Sequence, residues 1–294
     1  MRASDVGRFV TLSAIWGASY IFFRVLAPAL GPIITATARV LIAGVVLALY
    51  CRAIDFDAEL DRYWRAYLII GVVNSTIPFV CFSFAALHLP ASYLAILNST
   101  TPLFTALLAV PLLGERLSAT KVAGLVVGMG GVMLVSGAGP VVPDVWFGAA
   151  VAACFCAALC YALSGIYTKK HAAGAKPLAI AAWSQVFAGC VLLPIVPFAP
   201  ATGAVTPLIV ANVLGLSLLC SAIAYLLYYR LIVDLGPTRT LAVTFLIPVF
   251  GMLWGVLFLG ETITLPMVAG CALIIGGATM VLRPAPLIPR PASE

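Results

Sequence analysis

Charge is scarce in this chain. Asp, Glu, Lys and Arg together make up 9% of its 294 residues, where soluble domains run near one quarter. With 63% of residues hydrophobic, there is apolar surface enough to cover the outside as well as fill the inside. That excludes a water-soluble globule and makes lipid the solvent. Histidine is almost missing too, since His88 and His171 are the only two, which leaves too few parts for a soluble-style acid–base or metal centre. The eight cysteines include no CxxC pair and no neighbouring histidine, so they read as small apolar packing rather than zinc ligands. No GxxxxGK[ST] loop is present to cradle ATP phosphates. The apolar runs are continuous, without the two-residue alternation of a membrane β-barrel. No catalytic residue, metal or cofactor is called for. The net charge of +6 sits in short loops, where it reports membrane topology rather than nucleic-acid binding.

What is present is a series of apolar windows about 20 residues long. They predict an all-α polytopic membrane protein of ten spans, near 8–26, 33–50, 66–87, 91–111, 119–137, 145–167, 177–198, 208–230, 238–259 and 265–283. The amino-terminal run is too long for a signal peptide and carries Arg24, so it reads as a retained span. With a cytoplasmic amino terminus, fourteen of the sixteen basic residues fall inside: Arg2, Arg8, Arg52, Arg62, Arg65, Arg116, Lys121, Lys169, Lys170, Lys176, Arg230, Arg239, Arg283 and Arg290. The outside loops hold none, and Arg24 and Arg39 lie within spans. Both termini are then cytoplasmic.

Shifted by 146 residues, the chain matches itself without a gap. Pro102 falls on Pro248, Gly114-Glu115 on Gly260-Glu261, Val122-Ala123-Gly124 on Val268-Ala269-Gly270, and Gly130-Gly131 on Gly276-Gly277. Between 102–135 and 248–281 there are 13 identities in 34 positions. Five spans per unit is an odd number, so the second unit would enter the membrane inverted. Inverted repeats supply two exchangeable conformations around a central site, a transporter construction. The expected units are 1–137 and 145–283, joined by an external linker at 138–144 and followed by a disordered cytoplasmic tail at 284–294.

The repeat, the Leu-Gly-Glu-Arg-Leu link at 113–117, the stretches Pro102–Gly131 and Pro248–Gly277, and Trp-Gly-Ala-Ser at 16–19 resemble the EamA-type permeases of the drug/metabolite transporter superfamily. The ten-span aromatic amino-acid and methionine exporters are the most similar group. The resemblance implies a bacterial inner-membrane permease, many of whose kin export amino acids and related metabolites. The chain departs from strict symmetry where Trp254 faces Leu108 and Trp16 faces Ala162.

Polar residues inside the spans are few enough to name. The third span offers Asn74, Ser75, Pro78 and Phe79, and the eighth offers Ser221 and Tyr225. The fourth and ninth carry Asn98, Thr101 and Pro102, and Thr244 and Pro248, where each proline frees a carbonyl one turn back and can bend a gating helix. Trp16, Tyr20 and Tyr161 add an aromatic wall, which together suits a small zwitterionic or amphipathic metabolite with an apolar side chain. Ser, Thr and Asn in spans also serve as helix glue, and that reading stays open for each of them. Arg39 must face a cavity, find a partner or snorkel, because an arginine at a span centre costs roughly 2.5–3.5 kcal/mol. Its counterpart at the 146-residue shift is Gln185, a polar residue at the same depth. Substrate carboxylate recognition and structural pairing both remain open for it. No Asp or Glu occupies a span core, so the usual carboxylate proton relay is missing. Glu115 and Glu261 read as helix caps. Gly124, Gly128, Gly131, Gly270 and Gly277 read as close-packing positions on peripheral spans, available to a homodimer surface. A multidrug, nucleoside or sugar-metabolite permease of the same fold, and a passive channel, are the competing functions. Cysteine labelling should report Gly139 and Gly203 as external and Ala173 as internal; a reversed pattern overturns the topology.

Overall fold

The computed structural model describes residues 3–115, 117–138, 144–199, 201–236, 240 and 242–282. The tail at 284–294, all but the ends of the 138–144 linker, and the loop residues Arg2, Arg116, Gly139, Arg239, Arg283 and Arg290 lie outside them. Among the described residues the chain is all-helical and polytopic, with eight helices long and apolar enough to cross a membrane. We label the helices α1 (Ala3–Ala53), α2 (Leu60–His88), α3 (Ala91–Leu113), α4 (Ala119–Ala138), α5 (Phe147–His171), α6 (Pro177–Phe198), α7 (Pro207–Leu235), α8 (Val243–Leu259) and α9 (Leu265–Leu282). Of these α8 is the shorter apolar helix, with 17 residues.

The first two expected spans are not separated by a loop. Helix runs for 51 residues through α1, interrupted by one non-helical residue, Gly31, at φ 76° and ψ 165° between Pro28 and Pro32. A straight helix of that length would measure about 75 Å, more than twice a bilayer core of roughly 30 Å. Only glycine takes that φ without strain, and the flanking prolines withhold the amides that would continue the ladder. Four other expected spans are locally irregular, α6 among them, which tightens to a 3-10 helix over Leu193–Phe198. Helix α2 is π-helical over Val72–Thr76 and α7 over Gly215–Ile223, while α3 breaks between Asn98 and Thr101.

Helix α1 forms the middle of the bundle, packing against α2, α6, α7 and α8. Helices α4 and α9 lie against each other along their glycines. A Cβ on Gly131 would stand 2.6 Å from the Gly270 carbonyl oxygen, and one on Gly124 would stand 2.7 Å from that of Gly277. The 146-residue shift converts the first contact into the second. These glycines therefore serve packing within the chain, and their faces are not free for the dimer surface expected of them. Side chains such as Val126, Met133 and Phe258, each about two-thirds exposed, instead face outward, as lipid-solvated helices require.

The repeated Gly-Glu link makes the same turn twice. Gly114 and Gly260 close their helices in the left-handed region, at φ 68° and 64°, and the following glutamates donate their amides to Ala109 and Gly255 carbonyls at 3.2 and 3.1 Å. The side chains then diverge. Glu115 pairs with Lys121 at 3.0 Å. Glu261 does cap a helix, but not its own: its carboxylate accepts the amides of Ala91 and Ser92 at 2.6 and 3.0 Å, at the start of α3. An anion belongs there, where helix amides are unsatisfied and the dipole is positive. Gly131→Leu should drive a side chain into the Gly270 backbone and destabilise the protein by about 1–3 kcal/mol, read as a lower unfolding temperature in detergent. Gly130→Leu, where the added Cβ meets nothing within 4 Å, is the matched control.

Candidate functional site

The bundle's polar residues converge where α1 meets α2, α6 and α7. Arg39 is 6% exposed and donates from Nε to Ser221 Oγ at 2.9 Å and from Nη2 to the Cys220 carbonyl at 3.4 Å. Its guanidinium carbon lies 3.8 Å from the ring centre of Phe79 and 5.1 Å from that of Phe23. Gln185, fully buried, donates from Nε2 to Ser75 Oγ at 3.0 Å and to Tyr225 OH at 3.1 Å. Its Oε1 is buried without a partner.

These contacts form one closed ring, Arg39–Ser221–Tyr225–Gln185–Ser75–Phe79, with the helices of α2 and α7 completing its two sides. The 146-residue shift maps Arg39 onto Gln185, Ser75 onto Ser221, and Phe79 onto Tyr225. The Arg39–Ser221 bond thus becomes the Gln185–Ser75 bond, and the Arg39–Phe79 contact becomes the Gln185–Tyr225 bond. Ser217, donating to the Ala38 carbonyl at 3.3 Å, maps onto Gly71, which packs on the Ser184 carbonyl. Both π-helical segments are part of this match, because Val72–Thr76 shifts onto 218–222 within Gly215–Ile223. A π turn adds a residue to the helical turn and re-aims the side chains around it, and such turns gather at functional sites. Here they carry Ser75 and Ser221.

An aromatic wall surrounds the ring. Trp16 meets Tyr225 and Tyr228 at centroid distances of 6.5 and 5.3 Å. Phe82 lies between Tyr20, at 5.5 Å, and Tyr161, at 6.2 Å. Tyr20, Tyr161 and Tyr225 all lie near enough to Arg39 to interact with its charge. Phe23 joins the site beyond the candidates that sequence offers, with Trp16, Tyr20 and Phe23 following the i, i+4, i+7 spacing of one helix face.

The other expected cavity residues stand apart. Asn74 is half-buried in the first π segment and Pro78 is buried on the following turn. Asn98 and Thr101 flank the break in α3, where the Thr101 hydroxyl donates to the Asn98 carbonyl at 2.8 Å and Asn98 Oδ1 is buried without a partner. Pro102 begins the second part of α3, whereas Pro248 and Thr244 lie inside α8. A small apolar cleft of about 50 Å³ beside α3, α4 and α5, lined by residues including Leu103, Phe104 and Phe155, contains none of the expected site residues.

Structural ion pairing does not account for Arg39. Among the described residues every ion pair lies near a helix end: Arg8 with Asp5 and Asp234, Arg230 with Asp234, Arg62 with Glu59, and Lys121 with Glu115. Two ring contacts, at about 0.5–2 kcal/mol each, and a charge-assisted bond to Ser221 offset much of the roughly 2.5–3.5 kcal/mol insertion cost. They leave the positive charge itself unneutralised. Arg24, the other basic residue expected within a span, donates to the Ala86 and Leu87 carbonyls at 2.6 and 3.2 Å, at the negative end of α2.

The EamA-like transporter family model matches residues 8–137 and again 148–283. Protein PecM of Dickeya dadantii is 29% identical over 91% of this chain and 88% of its own length. The uncharacterized transporter YvbV of Bacillus subtilis is 25% identical over 92% and 88%. A probable terminal-alkyne amino-acid exporter of Streptantibioticus cattleyicolor is 26% identical over 91% and 90%. A solved protein crystal structure shares the fold, with a TM-score of 0.67 at 20% identity over 95% of this chain and 96% of that one. The chain belongs to the EamA-like transporter family, and is a multi-pass membrane protein for secondary transport of small metabolites.

Proposed function

We propose that the protein exports amino acids with apolar or aromatic side chains, and a wider range of amino acids with them, across the bacterial inner membrane by alternating access. The observation that carries this reading is the ring around Arg39 and Gln185. Its members come from equivalent positions of two repeats, 1–137 and 145–283, as an inverted pair with a two-fold axis through the site requires. If the repeats exchange conformations, the ring stays central while its two approaches open in turn. The lining matches the solute class, with a fixed cation and neutral hydrogen-bonding groups inside an aromatic wall. The similarity to an amino-acid exporter supports the same class.

The cytoplasmic assignment of the termini rests on loop charge, and the pairing of helix ends supports the ten-span arrangement, with α1 counted as two spans divided at Gly31. Arg8 with Asp234, Lys170 with the Leu112 carbonyl, and Lys176 with the Asp57 carbonyl each join two ends assigned to the cytoplasm. Thr202 with the Pro28 carbonyl, His88 stacked on Trp146, and Glu261 with Ala91 each join two ends assigned outside. Among the described residues no such pair mixes the sides.

Purified protein in liposomes loaded with labelled phenylalanine or methionine, at equal pH and without a membrane potential, should release substrate down its gradient. If neither amino acid moves while a nucleoside or quaternary amine does, the transporter reading stands and the amino-acid assignment falls. Pro102 and Pro248 are the proposed gating bends. Alanine at either should leave a folded protein whose initial flux falls several-fold, and unchanged rates in both variants would reduce the prolines to packing features.

A further inference from the structure

The site is symmetric in position and asymmetric in charge. Repeat one places a guanidinium where repeat two places a neutral amide, on matching serines and matching π turns. The guanidinium uses Nε and Nη2 within the protein, its Nη1 amino group makes none of these bonds, and no carboxylate balances its charge among the described residues. The amide uses both Nε2 hydrogens on Ser75 and Tyr225, which aligns Oε1 as the atom left over. That oxygen is buried with no partner. Orphaned buried acceptors are rare because each forfeits its hydration without recompense, and an unbalanced buried cation is costlier still. The first group lacks an anion and the second lacks an N–H donor. An α-amino acid carries both a short distance apart.

We propose that Arg39 recognises the substrate carboxylate and Gln185 Oε1 its amino group, so that the repeats divide the two ends of one zwitterion between them. This rests on the ring being the transport site. The two ends are not equivalent. The carboxylate meets a full opposite charge, whereas the ammonium meets only a neutral oxygen and ring faces. Removing the carboxylate from a ligand therefore costs more than removing the amine. A carboxylic acid with an apolar body and no amine is accepted, while the corresponding amine is not.

The test is ligand-dependent thermal stabilisation of the purified full-length protein in detergent, with phenylalanine, 3-phenylpropanoate and 2-phenylethylamine as probes. Liposome flux of phenylalanine is measured in parallel. The unaltered protein should be stabilised by the first two and not by the third. Arg39→Gln should weaken both carboxylate ligands by about tenfold or more, the scale of a lost charge-assisted bond, and Arg39→Lys should recover part of that loss because it keeps the charge. Gln185→Leu should weaken phenylalanine while leaving 3-phenylpropanoate within about twofold, a selectivity change that general damage to the fold would not produce. Gln185→Met offers a flexible side chain of similar length if leucine does not fold. Equal binding of both carboxylates by Arg39→Gln and the unaltered protein, or stabilisation by 2-phenylethylamine above 3-phenylpropanoate, overturns the proposal. If those results accompany intact phenylalanine flux, the transport reading survives without this recognition scheme. If no carboxylate binds and phenylalanine does not move, both fail.

Discussion

A positive charge held inside an apolar bundle constrains everything near it. Arg39 cannot be left facing hydrocarbon, and the chain offers no acidic residue at that depth to neutralise it. The surrounding residues do what neutral groups can do. Ser221 accepts a hydrogen bond, the Cys220 carbonyl accepts a longer one, and Phe79 and Phe23 present ring faces. Those partners stabilise the charge without cancelling it. They also tie α1 to both α2 and α7, so the charge binds together helices from both halves of the chain.

The same contacts show why the two halves fit. A residue pair related by the 146-residue shift needs a matching pair, and both the ring and the glycine contacts of α4 with α9 supply one. Ion pairs and caps outside this correspondence gather at helix ends, while unpaired ring contacts such as Trp16 with Tyr225 lie beside the ring. Arg8 joins Asp234 to the start of α1, Arg24 ties the later part of α1's first segment to the end of α2, and Glu261 holds the start of α3. If the repeats exchange conformations as proposed, contacts present in both copies would persist and the unpaired ones at helix ends would be free to break. The charged and capped helix ends would then respond to the side that opens, with the core ring unchanged between them.

Hydropathy and loop charge were enough to reveal a polytopic helical protein, because in lipid every backbone amide must be satisfied within a helix and long apolar runs admit no other structure. The internal repeat was legible for a similar reason: Gly-Glu links and close-packed glycines tolerate few substitutes, so their pattern stays visible in both copies. The spacing of Gly124, Gly131, Gly270 and Gly277 marks packing positions, but sequence does not say against what. Their mutual contact within one chain depends on how α4 and α9 are brought together. The break at Gly31 was equally hidden, since a glycine between two prolines suits a loop as readily as a kinked helix.

For the site, the sequence by itself determined the inventory: one arginine and one glutamine at matching positions, serines and aromatics nearby, and no Asp or Glu in a span core. It also limited the chemistry, since hydrogen bonds and rings were all that could meet the cation. Only the tertiary structure decided which members assemble. It joined Arg39, Gln185, Ser75, Ser221, Phe79 and Tyr225, and left Asn98 and Thr101 at the α3 break. Helical spacing gives the face of one helix but not the facing helix. The two π turns, invisible in hydropathy, rotate Ser75 and Ser221 into place, and contacts between residues 182 and 110 positions apart arise from packing over the whole bundle.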